Sequence, residues 1–95
     1  MNIDQLLQEA RDIWGNDTLT LEEIIVRLNV VVGDVSRYAR DHAEGSPAQE
    51  SELKKELGNL IFSLIRWCDD LGFTPEECIT LAKQAQTAYR QRQRT

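Results

Sequence analysis

What stands out first in this sequence is how little it has of the residues that announce a function. It holds two cysteines, Cys68 and Cys78, one histidine, His42, two prolines and one methionine. Two cysteines are too few for a disulfide framework, and no Cys–His or Ser–His arrangement points to nucleophilic catalysis. None of the five glycines sits in a loop of the phosphate-cradling kind. Met1-Asn2-Ile3-Asp4-Gln5 has no basic region followed by an apolar run, so no signal peptide is expected. No apolar stretch approaches the roughly 18 residues that suggest a membrane span. Together these absences predict a cytoplasmic protein with reduced thiols and no membrane partner.

The chain is 95 residues long, which suits one domain, residues 1–95, and leaves no room for a second core. A domain this small buries a modest share of its surface and needs a supplement to its stability. Helix association into a homo-oligomer, a dimer or a tetramer, is the expected one.

The net charge of −5 hides an asymmetry. Residues 1–82 carry 7 basic and 16 acidic side chains, a balance of −9. Residues 83–95 carry Lys83, Arg90, Arg92 and Arg94 with no acid. An acidic body repels nucleic-acid phosphates, so nucleic-acid binding is not expected. The basic tail either touches phosphate or complements the negative end of a helix dipole.

Helix punctuation is clear at three points. Thr20-Leu21-Glu22-Glu23 and Thr74-Pro75-Glu76-Glu77 have the form of capping boxes, the second with proline where no amide donor is needed. Ser46-Pro47-Ala48-Gln49 repeats the pattern with glutamine. Gly45 and Gly72 suit the left-handed positions that end helices. Four helices are therefore expected, near 2–14, 20–44, 47–71 and 74–93, giving an all-α fold, a four-helix bundle completed by dimerisation.

Periodicity supports this division unevenly. In the third segment Leu53, Leu57, Leu60, Leu64, Trp67 and Leu71 form a seam at helical period, widened by Ile61, Ile65 and Cys68. The first offers Ile3, Leu6, Leu7, Ala10, Ile13 and Trp14, and the fourth Ile79, Ala82, Ala85 and Tyr89. The second contains Ile24-Ile25-Val26 and Val30-Val31-Val32, β-branched runs that also fit two short strands. Leu21, Ile24, Ile25, Leu28, Val31, Val32 and Val35 nevertheless keep helical spacing behind a capping box, which favours a helix. A helix apolar on most sides must be covered on most sides, the reason a second copy is expected.

Polar residues beside these apolar rows are the candidates for chemistry. Glu56 and Asn59 lie three apart on one side of the third helix, and Asp34 follows Val30 and Val31 on the second. Antiparallel packing can bring Asp34 near Glu56 and Asn59, and oxygen ligands at this spacing on facing helices build hard-cation sites. The plainer alternative makes Glu56 and Asn59 border residues and pairs Asp34 with Arg37 or Tyr38. Gly33, costly inside a helix, hints at close packing or a kink.

Here the sequence resembles a family, the MazG-like nucleoside triphosphate pyrophosphohydrolases. Glu56-Leu57-Gly58-Asn59-Leu60-Ile61-Phe62 is similar to the family's Glu-x-x-Asp motif in its usual Glu-Leu-Gly-Asp setting. Arg27-Leu28-Asn29-Val30-Val31-Val32-Gly33-Asp34-Val35 resembles the frame of its Glu-Glu-x-x-Glu motif. Asp70-Leu71-Gly72-Phe73-Thr74-Pro75 resembles the turn into its last helix. The resemblance spans roughly residues 20–90.

It implies a Mg²⁺ site on Asp34, Glu56 and Asn59, with Asp34 and Glu56 as the catalytic carboxylates, and release of pyrophosphate from a (d)NTP. The departures fall on the ligands. Val30 and Val31 stand for two glutamates, Asp34 for a glutamate and Asn59 for an aspartate; only Glu56 is unchanged. Activity is therefore expected to be weak or lost. Trp14 either fills core or stacks on a nucleobase. Lys54 and Lys55 either meet phosphate or pair with Glu50 and Glu52 along the helix. His42 is expected at the surface, and the two cysteines to approach one another as small buried hydrophobes. Three functions stay open: a non-hydrolytic descendant, a working enzyme with a reduced site, and a helical interaction module without nucleotide.

Overall fold

The structure is a computed structural model that describes residues 1–45 and 49–94. It is all-α: α1 (Ile3–Trp14), α2 (Leu21–Ala43), α3 (Glu50–Asp70) and α4 (Pro75–Gln93). The β-branched runs lie within the single 23-residue α2. Their apolar spacing decides over their strand propensity, because Ile24 and Val31 bury against α3.

Each start has a local cause. Thr20 accepts from the Glu23 amide while the Glu23 carboxylate accepts from the Thr20 amide, closing the expected capping box. That hydrogen bonding holds the Glu23 carboxyl below its ordinary value. Asn2 and Gln5 form a second such box that the sequence reading passed over. At Thr74 only the hydroxyl half is made, to the Glu77 amide at 3.2 Å, with Pro75 at the first helical position. Gly45 and Gly72 take φ of 77° and 81°, the left-handed conformation expected of them. The box expected at Ser46-Pro47-Ala48 lies outside the described residues; α3 begins at Glu50 after Gln49, which makes no side-chain cap.

α3 is the hub, and α1, α2 and α4 each pack on it. Trp67 and Ile65 are its buried apolar residues, with Ala10 of α1 and Ile24 and Val31 of α2 completing the core. The expected seam is only partly inward. Leu57 and Leu64 stay 44% and 40% exposed, because α2 takes one flank of α3 and leaves this row beyond its reach. α4 buries only Pro75 and leaves Ile79, Leu81 and Tyr89 exposed. The expected tight packing at Gly33 is absent, since a side chain there would meet nothing within 4 Å.

One ionic cluster ties these helices together. Arg11 of α1 bonds Asp69 and Asp70 at the end of α3, at 2.6 and 2.5 Å. Asp70 also accepts from the Leu19 amide ahead of α2 at 3.3 Å, and Arg66 lies 3.8 Å away. The Asp70 side chain is wholly buried. The two carboxylates raise the Arg11 guanidinium above its ordinary value, Asp69 most.

Candidate functional site

The sequence spacing that builds the site is simple. On α2, residues 26, 30, 34, 37 and 41 share one side; on α3, residues 52, 56, 59, 63 and 66 do. α2 and α3 run antiparallel, and the two rows line two separate cavities that make up a trough along one side of the pair. Its two ends differ in chemistry.

One end is a cavity of about 580 Å³ lined by Asp34, Arg37, Tyr38, Asp41, Gln49, Glu52 and Glu56. Here the two candidate catalytic carboxylates, Asp34 and Glu56, do line the same cavity. Asp34, however, is ion-paired with Arg37 one turn on, the plainer pairing weighed for it. Four carboxylates face one guanidinium, so the lining is acidic overall. The acids are spread around the opening rather than converging: among the described residues no three His, Cys, Asp or Glu side chains come together as a metal would need.

The other end is a cavity of about 330 Å³ lined by Trp14, Val26, Arg27, Val30, Val31, Asn59, Phe62, Ser63, Arg66 and Trp67. Asn59 therefore belongs to this end, not to the acidic one shared by Asp34 and Glu56, and its amide oxygen accepts from Ser63 at 3.4 Å. Trp14 lies 60% exposed at its rim with the Arg66 guanidinium 5.1 Å from its ring centroid, a cation–π contact. Burial pushes Arg66 below its ordinary value; Asp70 works against that, and Arg27 and Arg11 add to it. Arg66 Nε and Trp67 Nε1 are buried without a hydrogen-bond acceptor.

A Mg²⁺ ion does not fit this constellation. Val30 points outward at 61% exposure, and Val31, 7% exposed, is packed between the helices. The cavity beside them is walled by Arg27 and Arg66, whose charge repels a dication. The wall beside Val30 and Val31 is thus cationic, while the four carboxylates lie in the other cavity.

Lys54 and Lys55 line neither cavity. Lys54 pairs with Glu50 at 3.2 Å and Lys55 with Glu52 at 2.8 Å, the helical pairing weighed for them. Hydrogen bonding to Glu52 raises the Lys55 ammonium. Cys68 and Cys78 are free and adjacent, and burial pushes the Cys68 thiol up to about 11, too high for a nucleophile at neutral pH. His42 stacks on Tyr38, ring centroids 6.4 Å apart.

Arg11, Arg27, Arg66 and Asp70 were missed from sequence. A signal existed for two of them. Arg66 stands inside the apolar run Ile65-Arg66-Trp67, and Asp70 follows it at i, i+4, the spacing of a paired buried charge. No helix of the described residues is long and apolar enough to cross a membrane. No known family profile matches the chain, no curated protein matches it in sequence, and no solved structure matches it.

Proposed function

We propose that this chain is a non-hydrolytic MazG-like protein, in which NTP or dNTP pyrophosphohydrolysis is weak or lost and which acts in the cytoplasm through binding and homo-oligomer assembly. The observation that carries this is the cationic, valine-lined wall at Val30 and Val31, with Asp34 committed to Arg37. Pyrophosphate release needs a metal that bridges the phosphates and holds water in line. Without a tight dication, the carboxylates of the 580 Å³ cavity repel a triphosphate.

The competing enzyme reading draws on one fact, that Asp34 and Glu56 share that cavity. Mg²⁺ can be held by one or two carboxylates plus waters and phosphates. Titration with Mn²⁺ decides between them. Paramagnetic broadening of amide signals should be diffuse over Asp34, Asp41, Glu52 and Glu56 and saturate only at about millimolar Mn²⁺, the weak end of carboxylate sites. Micromolar saturation confined to Asp34, Glu56 and Asn59 would establish the metal centre and remove this proposal's basis.

A further inference from the structure

The 330 Å³ cavity has entered so far only as a wall that rejects a metal, yet its polar groups are all of one kind. Its charged lining residues are Arg27 and Arg66, and no carboxylate joins them. Asn59 engages its amide oxygen with Ser63, so the end it offers a ligand is the Nδ2 donor. The rest of the wall is largely valine, phenylalanine and tryptophan. Donors thus border an apolar space without an anion to receive them.

Arg66 is the group most in need of one. It is 7% exposed, and its Nε has no hydrogen-bond acceptor. Asp70 lies 3.8 Å from that nitrogen and already serves Arg11 and the Leu19 amide. A guanidinium buried with so few acceptors is costly to the fold. Trp67, 4% exposed on the same wall, has a second donor without an acceptor, its Nε1. Arg27 adds a second positive charge at an exposed position. Glu23, one turn before it, is exposed and bonded to the Thr20 amide, so water screens its effect on Arg27.

The surroundings say which anion fits. Arg11, Arg27 and Arg66 stand against Asp69 and Asp70, which leaves one positive charge uncompensated. Residues 1–82 carry a balance of −9, a field that opposes a dianion or a triphosphate more than a single charge. Apolar walls favour a ligand with a hydrocarbon body, and the two coplanar oxygens of a carboxylate match the guanidinium fork. We infer that this cavity binds a small monocarboxylate with an apolar body, its carboxylate held by Arg66 and Arg27 and its hydrocarbon part against Val30 and Phe62. This deepens the binding part of the preceding proposal and rests on it in that respect alone; no metal or nucleotide enters.

The test is calorimetric titration and amide NMR of the full chain with 3-phenylpropanoate, beside 3-phenylpropanol and inorganic phosphate. The expected result is saturable binding with a Kd below about 1 mM, within reach of a ligand of this size. The largest shifts should fall on the Trp14 and Trp67 indole N–H and the Asn59 side-chain amide. The alcohol should bind about tenfold more weakly or worse, and phosphate should not displace the acid. Arg27→Gln, at an exposed position, should weaken binding about tenfold, the scale of one charge-assisted hydrogen bond. Glu52→Gln, in the acidic cavity, should change it less than about twofold. Arg66→Gln should abolish it; should that variant fail to fold, Arg27→Gln decides. Absence of saturation at about 10 mM acid overturns the inference. So does equal binding of the alcohol, displacement by phosphate, shifts centred on Asp34 and Glu56, or unchanged binding by Arg27→Gln. None of these readings measures pyrophosphate release, so failure of the carboxylate site and failure of the non-hydrolytic reading are told apart.

Discussion

Asp70→Ala is expected to lower stability by about 3–5 kcal/mol, the scale on which an uncompensated buried charge is felt. Asp70 has no solvent-exposed side-chain surface and serves Arg11, the Leu19 amide and, at longer range, Arg66. Its removal leaves Arg11 with Asp69 alone and Arg66 with no carboxylate nearby. It also weakens the tie of α1, and removes that of the Leu19 amide ahead of α2, to the end of α3 in one step. A small domain holds only about 5–15 kcal/mol in total, so the variant should melt at least 12 °C lower, at roughly 4–8 °C per kcal/mol. Glu50→Ala, which breaks an exposed pair with Lys54, should change stability by under ~1 kcal/mol. Urea titration followed by circular dichroism measures both. Equal, small effects would mean that the cluster is solvated and does not tie the helices.

Trp67→Ala is the second large effect, expected at about 3–5 kcal/mol from lost burial and the cavity left behind. Trp67 is 4% exposed on the hub helix, where it also lines the trough. Trp67→Phe should cost far less, because it removes an indole N–H that has no acceptor, a group worth ~1–3 kcal/mol of penalty when buried. Trp14→Ala, at the exposed rim, should cost under ~1 kcal/mol, the range of a surface substitution. Thermal melts of the three variants give the order. A Trp14→Ala loss matching that of Trp67→Ala would place Trp14 in the core instead.

The helices were legible because their starts are local. Thr20 with Glu23 and Thr74 with Pro75 need only neighbouring residues, and Gly45 and Gly72 supply conformations that few other residues adopt. The second segment was legible through its spacing and the capping box at Thr20, since strand propensity argued the other way. The α3 seam was legible as a stripe but not as a buried one. Which part of an apolar stripe is covered depends on where other helices land, and nothing in residues 50–71 encodes that.

The candidate site divided along the same line. Asp34 and Glu56 reached one cavity because antiparallel packing of neighbouring helices follows from their short connection. Asn59 went to the other cavity because three residues along a helix are about 4.5 Å of rise. The Arg11–Asp70 tie joins residues 59 apart in sequence and exists only once α1 has docked on α3. Charged residues of that kind look like solvated surface until a partner helix is known.

The loss of hydrolysis is tested most directly by pyrophosphate release from a panel of NTPs and dNTPs with Mg²⁺ or Mn²⁺. The natural chain would be run beside a Val31→Glu, Asn59→Asp variant. With the wall at Val30 and Val31 flanked by Arg27 and Arg66, and Asp34 paired to Arg37, both proteins are expected to release pyrophosphate at most marginally above the protein-free rate. Rapid metal-dependent release by the natural chain, orders of magnitude above that rate and abolished by Glu56→Ala, would show a working pyrophosphohydrolase and contradict the proposal.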